Sequence, residues 1–137
     1  GAQADRFGTS VLSMEDNIYL AQSNVIRKVA NDGPCVIIGR CSDYVLSDML
    51  NLVKIFVHAD MDFRKERAVR IDGVDPAKAE SVILTKDKRR QNYYNFHADR
   101  KWGIAKNYHL CIDSGYCGID CAVDVIYNYI VKNQSRG

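Results

Sequence analysis

The sequence predicts an α/β fold built on a parallel sheet. Cys35-Val36-Ile37-Ile38 is an apolar run without a polar interruption, the mark of a strand buried on both faces, as parallel sheets require. Residues 53–57 and 110–112 supply two further strand-like segments. Stretches of helical periodicity flank and separate these runs, and strands alternating with helices pair in parallel through right-handed crossovers. Only three strands are visible, which is thin for a sheet covered by helices on both faces.

The elements follow in order. Residues 1–12 carry no periodicity and read as a loop or frayed arm. Ser13, followed three positions later by Asp16, resembles a capping box with Asp in place of Glu. Ile18, Ala21, Val25 and Val29 then recur at helical spacing until Asn31-Asp32-Gly33-Pro34 stops the helix. The first strand is expected at 35–38 and a short helix or turn at 41–48. The second strand spans 53–57, and Asp60 caps a helix running through Ile71 to a stop at Gly73. Asp75-Pro76 restarts a helix with a cap residue followed by proline at the first helical position, and that helix extends to about Phe96. Its apolar stripe is Ala79, Val82, Ile83 and Tyr93. Tyr93 and Tyr94 point about 100° apart on a helix, so one is expected in the core and the other outside it. Residues 110–112 form the third strand, and a final helix over 119–131 carries Ile119, Val123, Ile126 and Ile130 on one face.

With 137 residues the chain has room for one domain around one core. A net charge of +2 is too small to draw nucleic acid or an anionic membrane by bulk electrostatics, so neither is expected as a partner. No apolar run approaches the ~20 residues that span a bilayer. The segment Gly1-Ala2-Gln3-Ala4-Asp5-Arg6 has no signal-peptide core. Oligomeric state is not legible. Five cysteines, an odd number with no Cys-x-x-Cys pair, read as structural free thiols in a reducing, cytoplasmic setting. Cys35 and Cys111 fall inside predicted strands. Cys117-x-x-x-Cys121 has no partner at zinc-ligand spacing. His58, His97 and His109 share no ligand spacing either, so no metal site is expected within the chain.

Two places carry candidate chemistry. Gly39 lets the backbone turn where the first strand ends, and ligands of parallel sheets sit at the carboxyl ends of strands. Arg40 puts there a permanent cation whose planar fork of donors suits a phosphate. An arginine so placed serves equally in a surface salt bridge, and position alone does not choose. Cys41 follows it, where an anion site would favour its thiolate. The second place is Lys86-Asp87-Lys88-Arg89-Arg90. By composition it is a solvated helix face. With Tyr93, Tyr94 and Trp102 it has the ingredients of a nucleic-acid surface, but the near-neutral chain does not extend the basic patch.

Three segments taken together resemble the cytidylate kinase-like family of P-loop nucleoside monophosphate kinases. They are residues 33–46, with Gly39-Arg40-Cys41-Ser42-Asp43 at their centre; Val53-Lys54-Ile55-Phe56-Val57-His58-Ala59, with Arg64 and Arg67 on the helix that follows; and residues 86–114, from Lys86-Asp87-Lys88-Arg89-Arg90 through Trp102-Gly103 to Ile112-Asp113-Ser114. The resemblance implies a three-layer P-loop kinase-like parallel sheet with helices on both faces, and transfer of the γ-phosphate of ATP, with Mg²⁺, to a nucleoside monophosphate, by default CMP or dCMP. It implies that Arg40 and Asp43 bind the acceptor, with Arg40 on its phosphate. Asp87 and Arg90 match the Asp-x-x-Arg of a lid spanning 86–103. Arg90 and Lys86 would be its catalytic cations, and Asp87 would orient the lid or the acceptor ribose. Ser114, Gly115 and Gly118 fall where such kinases pack adenine. Trp102-Gly103 reads as a hinge or anchor, and the lid is expected to be the most mobile helical region. Phosphoryl transfer needs positioning and cations more than covalent chemistry.

The chain departs from the family in two ways. It contains no Gly-x-x-x-x-Gly-Lys-Ser/Thr, the loop that cradles the ATP phosphates and supplies the Mg²⁺-binding hydroxyl. The central P-loop strand, expected between 35–38 and 53–57, is therefore missing, and the chain reads as the carboxyl-terminal part of a larger kinase domain. The arginine expected four residues before the lid Asp is Ile83, leaving Lys86 or Arg89 to substitute. The alternative reading is a non-catalytic nucleotide-binding or regulatory module without a P-loop.

Overall fold

The computed structural model describes residues 13–134; the loop expected over 1–12 lies outside them. The chain divides into two units, one up to Leu50 and one from Asn51.

In the first unit, helix α1 spans Met14–Asp32, and Ser13 Oγ accepts a 3.1 Å bond from the Asp16 amide. This satisfies one of the amides that a helix start leaves unpaired. The predicted stripe needs correction. Ile18, Val25 and Val29 are exposed, and the packed face carries Ser23 and Ile26. Ser23 is tolerated there because its hydroxyl donates to the Tyr19 carbonyl at 2.7 Å. The most apolar stripe of α1 is thus exposed.

The strand expected at 35–38 is also corrected. These residues join no sheet, with Val36 91% and Ile38 89% exposed. A strand exists only through hydrogen bonds to a neighbour, and this run has no ladder. The backbone then makes an unusual turn. Gly39, Arg40 and Cys41 all take left-handed φ values of 68°, 58° and 60°, and the Ser42 amide donates to the Gly39 carbonyl at 3.2 Å. A short helix, α2 (Ser42–Val45), follows. Cys41, Val45 and Leu46 are buried around it.

The second unit is built on two parallel strands, β1 (Ile55–His58) and β2 (Leu110–Asp113), in register from Ile55↔Leu110 to His58↔Asp113. The amides of His109 and Leu110 both donate to the Lys54 carbonyl, and the Lys54 amide donates to His109 Nδ1 at 2.9 Å. His109 is therefore a side-chain acceptor at the open end of the ladder. Helix α3 (Met61–Asp72) starts at Asp60, whose carboxylate accepts from the Phe63 amide, and ends at left-handed Gly73. After a 3₁₀ turn (Pro76–Lys78) capped by Asp75, helix α4 runs Ala79–Ala98.

Ala79, Ile83, Tyr94 and Ala98 are the buried residues of α4. Tyr94 takes the core position, while Tyr93 is half-buried, edge-on to His97 at 4.6 Å. Trp102 is an anchor. Its amide donates to Asn95 Oδ1 at 2.7 Å, and its ring meets Phe56 edge-on at 5.4 Å. Gly103, at φ 79°, lies so close that a Cβ there would sit 3.4 Å from Phe56 Cζ.

Two helices complete the chain, α5 (Ser114–Cys117) and α6 (Ile119–Gln134). The face predicted for α6 is likewise corrected, since Val123 is exposed and Ala122 is the buried residue. All five cysteines are free, and only Cys41 is buried; Cys35 is exposed because its predicted strand has no partner. The described residues are thus helix-rich, with a small parallel sheet of two strands, not three, compatible with an α/β fold. No described helix is long and apolar enough to cross a membrane.

Candidate functional site

The candidate residues fall into three groups, each placed by its own local structure. In the first unit, Arg40 is exposed on the left-handed turn. Asp43, in the first turn of α2, is half-buried, and its carboxylate accepts from the Tyr44 amide at 2.9 Å. An L-residue held at positive φ costs on the order of 1–2 kcal/mol. Such backbone strain concentrates where a side chain must be aimed.

In the second unit, α3 and α4 bring Arg64 against Asp87. Arg64 Nη1 donates to Oδ2 at 2.7 Å and Nη2 to Oδ1 at 2.6 Å, a bidentate pair of the strong, planar kind. Arg90, one turn along α4, donates from Nη1 to the same Oδ1 at 3.3 Å. The structure thus joins Asp87 to Arg90, as the Asp-x-x-Arg spacing implies, and adds Arg64. Lys86 is exposed on the neighbouring turn. Arg64 holds the Asp87 carboxyl below the usual carboxylate range, chiefly through its hydrogen bonds; burial opposes this, and the charges of Arg64 and Arg90 assist.

A carboxyl group shifted down on folding stabilises the fold fully above its unfolded value of about 4, and that contribution is lost as the pH falls through the folded value. Wild-type protein should therefore lose more stability than Asp87→Asn does as the pH falls below about 4, as followed by circular dichroism in denaturant at each pH. Identical pH profiles would mean that the pair does not form in solution.

The third group is the turn after β2. The Asp113 carboxylate accepts from the amides of Gly115 and Tyr116, each at 3.0 Å, and so caps α5. Ser114 is buried and donates to the His58 carbonyl at 3.3 Å. Packing explains Gly115, where a Cβ would lie 3.0 Å from Ala59 Cβ and 3.2 Å from Phe63 Cγ. Gly118 takes φ 87° and closes the turn. Gly115→Val should cost about 1–3 kcal/mol, the range for overpacking a filled site. A denaturant titration showing no loss would mean that the turn relaxes freely.

The comparisons bear on these groups together. A model of the cytidylate kinase-like family matches residues 3–116. The chain belongs to the cytidylate kinase-like family. A crystal structure of an uncharacterized protein from Eubacterium ventriosum is 37% identical, with a TM-score of 0.79, over 85% of this chain and 74% of that one. No curated protein matches. Arg40, Asp43, Lys86, Asp87, Arg90, Ser114 and Gly115 all lie inside the segment matched to the cytidylate kinase-like family, and Gly118 lies just beyond it. Family membership makes Mg²⁺ a natural question. Among the described residues no group of three or more His, Cys, Asp or Glu side chains is arranged to hold a metal ion, and Mg²⁺ in phosphoryl transfer is held largely by substrate phosphates and water.

Proposed function

We propose that this chain carries the acceptor and lid parts of a nucleotide kinase that transfers the γ-phosphate of ATP to a nucleoside monophosphate, with CMP or dCMP the first acceptors to test. The observation that carries this reading is the Arg64–Asp87–Arg90 network, in which Asp87 and Arg90 stand on α4, the helix taken here as the lid, and Arg64 on α3. Two guanidinium groups around one carboxylate leave a net positive charge, and transferring phosphoryl groups are stabilised by cations held ready for them. In this reading Arg40 grips the acceptor phosphate, and Asp43 lies beside it in sequence. Arg90 and Lys86 close over the transferring group, Asp87 orients the lid helix through its pair with Arg64, and Ser114, Gly115 and Gly118 line the adenine end.

The ATP phosphates and the metal would be held by a P-loop on residues that positions 1–137 do not include. The exposure of Val36 and Ile38 supports this, because an apolar run of that kind is expected to be covered by a neighbouring strand. The test is full-length protein, ATP and Mg²⁺ with a panel of nucleoside monophosphates and small alcohols, following ADP release. Release that depends on one monophosphate is the expected result. Release with none of them, beside intact nucleotide binding, favours the non-catalytic module that the lack of a P-loop motif in this sequence also suggests.

A further inference from the structure

Between Ile83 and Tyr94 no side chain of α4 is buried. Apolar contacts hold the helix at its two ends, and a 3.8 Å Lys65–Glu80 pair joins α3 near its start. Over the exposed middle, the ion pair to α3 is Arg64–Asp87, whose side chains are 31% and 23% exposed. Arg90 reaches the same carboxylate only at 3.3 Å, through the oxygen that Arg64 also holds. One carboxylate is thus shared unequally by two arginines, and the closer, two-pronged contact belongs to Arg64.

That inequality has a chemical consequence. A carboxylate satisfied in both oxygens by a planar fork attracts a second guanidinium weakly, so Arg90 can leave it for another anion. Without Arg64, Asp87 has one cation left within reach, on its own helix at i+3 spacing, where such pairs form readily. Arg90 would then be neutralised by its neighbour.

We propose that Arg64 is a positioning residue that keeps Arg90 available: by engaging both oxygens of Asp87, it prevents the Asp87 carboxylate from capturing Arg90. The kinetic consequence rests on the phosphotransfer reading above; the effect on anion binding does not. Lysine should replace Arg64 only in part, since a point charge does not occupy both oxygens.

The test compares wild-type full-length protein with Arg64→Gln and with Arg64→Gln/Asp87→Asn. In the single variant kcat should fall roughly 10- to 100-fold, the size of effect expected when a catalytic group is mispositioned, with KM for both substrates changing little. The double variant, having no carboxylate to capture Arg90, should recover at least half of that loss on a logarithmic scale. A structural role for Arg64 predicts no such recovery, and a double variant no faster than the single one overturns the proposal. Tripolyphosphate affinity, read by calorimetry, should follow the same order, with wild type and double variant both tighter than Arg64→Gln. Equal affinities, or tripolyphosphate binding to none of the three proteins, overturn it as well. If wild type binds tripolyphosphate but transfers phosphate to no acceptor, only the phosphotransfer reading fails, and the order of affinities still decides the role of Arg64.

Discussion

Arg40→Ala should weaken binding of the acceptor phosphate by about 30- to 1000-fold, equivalent to about 2–4 kcal/mol for a charged partner lost from a desolvated pair. Arg40 is exposed in the structure, so the pair is desolvated only when the acceptor arrives. ATP affinity should change little, because ATP would be held elsewhere. Arg40→Lys should recover part of the loss, since an ammonium cannot present two parallel donors. The left-handed turn adds a second arm. Alanine keeps a Cβ and therefore keeps the strain at φ 58°, whereas glycine relieves it. Arg40→Gly should lose acceptor binding to the same degree and melt no lower than wild type, gaining up to about 1 kcal/mol. Calorimetric titration of CMP and ATP, with a thermal melt of each variant, reads both arms. Unchanged monophosphate affinity with a lowered melting temperature in Arg40→Ala would make Arg40 a structural ion-pair residue and remove it from the acceptor site.

Arg90→Ala should lower kcat by roughly 10²- to 10³-fold, the usual loss when a group stabilising transition-state charge is removed. KM should move little, because a lid cation acts on charge that develops during transfer. Lys86→Ala should cost less, since no described contact fixes that exposed side chain in a single direction. Steady-state kinetics on full-length protein, with ATP and acceptor varied in turn, distinguish the cases. A raised KM at constant kcat would make Arg90 a ground-state binding residue, and no change in either would take it out of the lid.

Much of the fold was legible because its signals are local. Ser13, Asp60 and Asp75-Pro76 start helices where their side chains meet unpaired amides, and Gly73 ends one in a conformation that other residues resist. The strands at 55–58 and 110–113 were legible within two residues, as apolar runs between helices. What was not legible is relational. The run at 35–38 has the composition of a buried strand, but composition reports a preference for burial and not a neighbour that can provide it. The stripes of α1 and α6 failed for the same reason: periodicity identifies a helix, while the face that packs depends on what lies against it. At the candidate site, Asp87 and Arg90 stood out only through the family resemblance, and their i,i+3 spacing on one helix accounts for the contact between them. Arg64 stands 23 residues from Asp87, and an arginine on a helix carries no local sign of which carboxylate it will meet. Asp113 was read only within the segment Ile112-Asp113-Ser114, whereas its carboxylate also organises the first amides of α5.

In a chain limited to residues 1–137, the uncovered run at 35–38 is also a hazard for self-association. A short, uncharged, β-branched segment with open backbone groups is a template on which other chains can stack. Its flanks resist this, since Pro34 offers no amide to an incoming strand and Arg40 brings like charges together in any stacked pair. The same guanidinium that would greet an acceptor phosphate is therefore also a gatekeeper against self-association. Removing it exposes the run from one side, and Arg40→Ala in a chain limited to residues 1–137 should come out of solution at concentrations that the unsubstituted chain tolerates.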